Sequence, residues 1–243
     1  MSRPSGDAVD AHDYEPHLGG SRQYMRDIIL GVNDGLVSTF LLVSGVVGGG
    51  LDATQVLLTG VAGAVAGMVS MALGEYLATK SQEEVFDAEL SLERHHHEEH
   101  RDEERRQLRQ ILESHGLTGE QLDVVVDIID DDDDVMFSMH KALEFGIVDE
   151  ERRSPYWAAV TSGLLFLAGA LPSVIPFAVI DDTGVGLVAA AVLSGIGLFA
   201  VGAAKTLQTR KNPFLSGSEN LALGMVGGVI AYVVGVAFDA SIA

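Results

Sequence analysis

The sequence predicts an all-α polytopic membrane protein with five transmembrane helices and a cytoplasmic three-helix metal-binding domain inserted between the second and third. Three observations predict it. Five stretches are apolar over roughly the 20 residues that a helix needs to cross a bilayer core of about 30 Å. One long polar insertion separates the second stretch from the third. The 15 Lys and Arg residues fall only on alternate connections, as five crossings with a basic cytoplasmic side require.

Taken in order, residues 1–23 are polar and lack the basic-then-apolar pattern of a cleavable signal peptide, so they read as a flexible cytoplasmic tail. The spans are expected at 28–49, 56–78, 156–180, 185–204 and 221–238. Connections 50–55 and 181–184 leave room only for tight turns, which makes hairpins of helices one and two and of helices three and four. Arg3, Arg22 and Arg26 precede the first span, nine basic residues from Lys80 to Arg153 lie in the insertion, and Lys205, Arg210 and Lys211 follow the fourth span. The N-terminus and residues 80–153 are therefore expected in the cytoplasm and the C-terminus outside. The implied organisation is a tail at 1–23, helices one and two at 24–79, a helical domain at 80–153 and helices three to five at 154–243. Gly63 with Gly67, and Gly224 with Gly228, allow close helix approach, and Pro172 and Pro176 are expected to kink the third span.

The chain carries a formal charge of −20 and no Cys. Disulfides, thiolate metal sites and Cys nucleophiles are thereby excluded, leaving carboxylate, imidazole, amide and thioether as metal ligands. The expected partners are the lipid bilayer and divalent metal ions, with no nucleic acid. An acidic excess of this size suits a high-salt cytoplasm or an acidic metal-collecting domain.

An ionisable side chain inside a span costs at least ~2.5 kcal/mol, so it is expected to face a cavity, a partner or a substrate path. Asp27, Asp34 and Ser38 are spaced seven and four apart on one face of the first helix. Asp34 lies roughly 10 Å inside the span at 1.5 Å per residue, too deep for its short side chain to reach water. Met68, Met71 and Glu75 share a face of the second helix. The plainer alternative makes the methionines packing residues and lets Glu75 reach the interface. Taken together, two carboxylates on one helix and thioethers with a carboxylate on the other form a ligand set for a divalent ion such as Fe2+ or Mn2+.

Residues 79–114 contain no Gly or Pro and read as one helix continuing the second span for about 50 Å. His115 and Gly116 end it, Thr118 with Gln121 is a capping-box start for a second helix, and 135–145 forms a third. Glu89, Glu93, His96, His100, Glu103 and Gln107 make a stripe along the first of these, and His140 and Glu144 lie one turn apart on the last. The alternative is a solvated charged helix with His95, His96 and His97 on its surface. The five consecutive Asp residues at 130–134 read as a solvated linker. Glu93-x-x-His96 matches half of a di-iron carboxylate motif, but no second Glu-x-x-His completes it.

The run Arg26-Asp27-Ile-Ile-Leu-Gly-Val-Asn33-Asp34-Gly35-Leu-Val-Ser38-Thr-Phe, followed by Met71-Ala-Leu-Gly-Glu75-Tyr and Lys80-Ser81-Gln82, resembles the vacuolar iron transporter family. Ser154-Pro155-Tyr156-Trp157 and the Gly169 to Pro172 segment are similar to its third helix, and the likeness extends over about 24–238. The resemblance implies a homodimer that is a transporter and not an enzyme. It exchanges cytoplasmic Fe2+, and often Mn2+, for protons along a path between protomers, lined from helices one and two. Carried over by position, the in-membrane metal and proton groups are Asp27, Asp34, Met71 and Glu75. The ligands of the first cytoplasmic helix fall on Glu93, His96, Glu104 and Gln107, two of them replacing Glu. Those of its third helix fall near Met139, His140, Lys141 and Glu144. A site richer in His shifts preference toward Zn2+, Co2+ or Ni2+. The expected function is a proton-coupled exporter of divalent iron and manganese, with iron as the transported ion rather than a prosthetic group. A membrane-anchored metal sensor or store and a di-iron ferroxidase are the alternatives. The Asp-rich, Cys-free composition suggests a prokaryotic cell membrane.

Overall fold

The computed structural model describes residues 21–144, 153–209 and 211–242. Most of the expected tail, together with Arg3, Arg152 and Arg210, lies outside the described residues, as does the side chain of Glu144. The described chain is helical throughout. Its elements are α1 (Ser21–Gly48), α2 (Ala53–Glu99), α3 (Arg101–Ser114), α4 (Gly119–Asp130), α5 (Asp133–Glu144), α6 (Pro155–Val179), α7 (Thr183–Ala204), the short α8 (Thr206–Thr209) and α9 (Pro213–Ile242). Five of them, α1, α2, α6, α7 and α9, are long and apolar enough to cross a membrane.

The tight turns form as expected. Gly50 adopts φ 79° in the turn after α1. Asp52 then caps α2, its Oδ1 accepting from Gln55 N at 2.9 Å while Gln55 Oε1 accepts from Asp52 N at 3.1 Å. Asp182 caps α7 through its side chain alone, Oδ1 accepting from Val185 N. The last span begins at Pro213, well before the expected 221, because Asn212 Oδ1 accepts from Phe214 N and so starts the helix early.

Helix α6 sits at the centre of the membrane bundle, against α1, α2 and α7, while α9 packs on α1 and α7. It remains helical through Pro172 and Pro176. Glycines bring the axes together: a Cβ on Gly35 would lie 2.0 Å from Phe166 O, and one on Gly169 would lie 2.2 Å from Val32 O. In α2, Gly63 faces Leu42 and Gly67 faces the Phe166 ring, so this glycine pair packs inside the chain. The crossing at Gly35 fixes the neighbouring Asp34 relative to Phe166.

Beyond the apolar half, α2 continues unbroken as a polar helix, making 47 residues in all, or about 70 Å. It does not reach Ser114 as expected. The helix breaks at His100, whose φ of −130° and ψ of 36° leave the helical region. Little hydrogen bonding is lost there, since His100 N donates to His96 O at 2.7 Å and His100 O accepts from Glu103 N and Glu104 N. The turn lets Leu108 and Leu112 of α3 pack with Leu122, Val126 and Ile129 of α4 and Met136 of α5 in a separate small core. Burial of that face overrides the local preference for a straight helix.

Two further expectations change. Thr118 stands at the N-cap of α4 without a side-chain hydrogen bond to the helix. The run at 130–134 is solvated at Asp131 to Asp134, as expected, but it is also tied to its neighbours. Asp130 pairs with both Arg101 and Arg105, Asp133 with Arg101, and Asp132 Oδ1 accepts from Asp134 N and Val135 N at the start of α5. Arg105 also pairs with Asp127, and Arg109 with Asp123 at 2.6 Å, giving a ladder that clamps α3 to α4 and α5.

Adding a methyl group at Gly35 is expected to destabilise the bundle by about 1–3 kcal/mol through overpacking against Phe166 O. Gly74, with nothing within 4 Å of its would-be Cβ, should tolerate Ala. Thermal unfolding in detergent should show a lowered Tm for Gly35→Ala and none for Gly74→Ala.

Candidate metal sites

The break at His100 has a chemical consequence. In a straight helix Glu93 and Glu104 would lie on one face but about 16 Å apart, too far to share an ion. With α3 turned away they meet, and α5 adds His140. Glu93, His97, Glu104 and His140 each offer a ligand atom, all within 4.8 Å of one another. His97 Nε2 lies 2.9 Å from His140 Nδ1 and 3.4 Å from Glu93 Oε1. His140 Nδ1 lies 3.3 Å from Glu93 Oε1 and 3.4 Å from Glu104 Oε2. Phe137 docks α5 on α2 by meeting the His97 ring edge-on and lying under the Arg94 guanidinium.

Glu93, Glu104 and His140 are buried, and His140 Nε2 has no hydrogen-bond partner among the described residues. Burial, with His140 nearby, lowers the His97 pKa, and burial likewise lowers that of His140. Both imidazoles are therefore held neutral at neutral pH with lone pairs able to bind metal. Two carboxylates so close in a dry site repel each other, and a divalent cation relieves that cost. Two nitrogens with two oxygens suit a borderline divalent ion such as Fe2+, Mn2+, Zn2+ or Co2+.

The remaining candidates of this domain lie at or beyond the rim. His96 is partly exposed, its Nδ1 3.8 Å from Glu104 Oε1. His100 is exposed at the break, Gln107 is half-buried outside the four-ligand group, and Glu103 pairs with Arg106. His97 was read only as a surface residue, yet its i, i+4 spacing from Glu93 was a usable signal. Spacing alone could not choose between His96 and His97, because residues three and four apart share a face. The direction from which α5 approaches makes the choice.

The second site is a groove of about 500 Å³ among the membrane helices, lined by Asp34, Ser38 and Thr39 of α1, Ser70, Met71 and Glu75 of α2, and Phe166 of α6. Asp34, Met71 and Glu75 all line this one groove. Met68 turns away, its Cγ 3.4 Å from a Cβ built on Gly163, and serves packing. Asn33 faces the opposite side, where its Oδ1 accepts from Asn220 Nδ2 at 2.8 Å. Asp27 is buried at the polar end of α1, 3.5 Å from Arg26 Nη2 and paired with Arg153. Arg153 also lies 3.9 Å from Glu75 Oε1. Sequence reasoning used it only to assign topology.

A helical membrane protein with five apolar helices long enough to span is thereby defined, with a carboxylate-lined groove among those helices and a Glu/His cluster in an appended helical unit. The chain belongs to the VIT family, whose model matches residues 25–236. It is 28% identical to vacuolar iron transporter 2 of Oryza sativa subsp. japonica over 92% of this chain and 90% of that protein. It is 29% identical to vacuolar iron transporter 1 of Eucalyptus grandis, covering 92% and 89% of the two chains. The vacuolar iron transporter of Toxoplasma gondii is 29% identical over 91% of this chain and 76% of its own.

Replacing His97 or His140 by Ala should weaken Co2+ binding by more than the ~10-fold typical of losing an outer-shell partner. His100→Ala should leave it unchanged. Titration of the full chain with Co2+, followed by visible absorption, checks both.

Proposed function

We propose that the chain is a proton-coupled transporter that moves divalent iron, and manganese, out of the cytoplasm. The observation that carries this reading is the groove itself. Asp34, Met71 and Glu75 line one cavity among apolar helices, and Asp34 is exposed there in the single chain. A membrane anchor has no use for a carboxylate at that depth, where its cost is several kcal/mol, or at least ~2.5. The names of the relatives support iron as cargo.

Exposure of Asp34 toward the lipid side also supports a homodimer, because a second copy would cover the groove and exclude hydrocarbon from the carboxylate. Basic residues at Arg26, Lys80, Arg153 and Lys205 support a cytoplasmic location for the helical unit at 80–153. In this arrangement Glu93, His97, Glu104 and His140 gather the ion, and α2 leads from them to Glu75, Met71 and Asp34. Protons compete for the same carboxylates, which couples the two fluxes. The four-ligand group falls short of the six side chains of a di-iron carboxylate centre, which disfavours oxidase chemistry. The acidic, Cys-free composition is our ground for a prokaryotic cell membrane, whereas the relatives are named vacuolar.

Proteoliposomes loaded with a pH-sensitive dye and given Fe2+ should accumulate iron while protons move the other way. Asp34→Asn should abolish both fluxes, and full activity in that variant would remove Asp34 from the path. Iron uptake without proton movement would sink the antiport. Metal binding with no uptake at all would favour a store.

A further inference from the structure

Arg153 stands immediately before Ser154, the N-cap of α6, and its side chain reaches Asp27 of α1 and Glu75 of α2, the latter one of the residues that line the groove. Nη2 contacts Asp27 Oδ2 on α1, and Nη1 lies 3.9 Å from Glu75 Oε1 on α2. The three side chains are largely withdrawn from solvent, with 16%, 11% and 24% exposure for Arg153, Asp27 and Glu75. A smaller cavity of about 210 Å³, lined by Arg153, Glu75, Gln82 and Glu83 among others, opens toward the polar half of α2. Glu75 lines both this cavity and the larger groove. A cation passing from the polar half of α2 to Asp34 therefore meets Glu75 and the guanidinium together.

We propose that Arg153 is a tethered cation that occupies the Asp27 and Glu75 carboxylates between transport events, and that an incoming divalent ion must displace it. The inference rests on the transport reading above. A guanidinium never loses its proton in a protein, and its planar fork can bridge two carboxylates as no point charge can. Because it is tethered, it competes at a high effective concentration. A monovalent ion offers the carboxylates no more charge than the guanidinium it would replace. A divalent ion at the same distance doubles the Coulomb attraction, which favours displacement. Arg153 thus sets the apparent affinity for metal and screens out Na+ and K+. A bridge that merely held α1, α2 and α6 together would have neither effect.

The test is initial-rate Mn2+ uptake by proteoliposomes of the full chain, wild type against Arg153→Gln and Arg153→Lys, with and without added K+. Removing the competitor in Arg153→Gln should lower KM for Mn2+ by about tenfold and let K+ inhibit uptake, and Lys should give intermediate values, since its point charge bridges poorly. An unchanged or raised KM with reduced kcat would overturn the proposal and leave Arg153 a structural bridge. If Arg153→Gln does not fold, Arg153→Lys decides, because a KM at or above wild type contradicts displacement. Absence of wild-type uptake would count against the transport reading instead. Equilibrium Mn2+ binding then tests displacement separately, in a His140→Ala background that silences the four-ligand group. Tighter binding on loss of Arg153 supports displacement, and equal or weaker binding overturns it.

Discussion

A carboxylate removed from water needs a cation, and that requirement organises the polar half of this molecule. Asp27 and Glu75 share Arg153, Asp130 is held by Arg101 and Arg105 of α3, and Glu93 and Glu104 face two imidazoles that burial keeps neutral. The last arrangement brings two carboxylates and two neutral nitrogen ligands together within 4.8 Å. Asp34 lies in a groove whose other polar groups are hydroxyls, a thioether and Glu75.

The membrane bundle supplies rigidity for this chemistry. Close crossings at Gly35 and Gly169 lock α1 to α6, and Phe166 forms one wall of the groove from that locked position. Helix α2 then links the groove and the Glu/His cluster without interruption. Glu75 and Glu93 stand on it about 27 Å apart, so a single helix carries residues of both.

Much of this was legible in the sequence, because it depends on length and local spacing. The five spans follow from runs of apolar residues, and Asp34, Met71 and Glu75 follow from helical periodicity together with the cost of charge in lipid. What escaped depends on how elements turn toward one another. No Gly or Pro marks the break at His100, which arises because Leu108 and Leu112 bury against α4. Without that break the ligand stripe looked linear, with His96 and His100 as members, and His97 was assigned to the surface. The pairing of Arg153 with Asp27 and Glu75 was invisible because those partners come from helices far away in the chain. The pairing of Asp130 with Arg101 and Arg105 was hidden for the same reason, the arginines lying on another helix.

The most direct test of the claim that metal occupies these two carboxylate sites is a structure of the full chain with Co2+, located by anomalous scattering. One peak among Glu93, His97, Glu104 and His140, and a second beside Asp34 and Met71, is the predicted result. Peaks confined to exposed acidic residues such as Glu98 and Glu99, with none at either site, would contradict it.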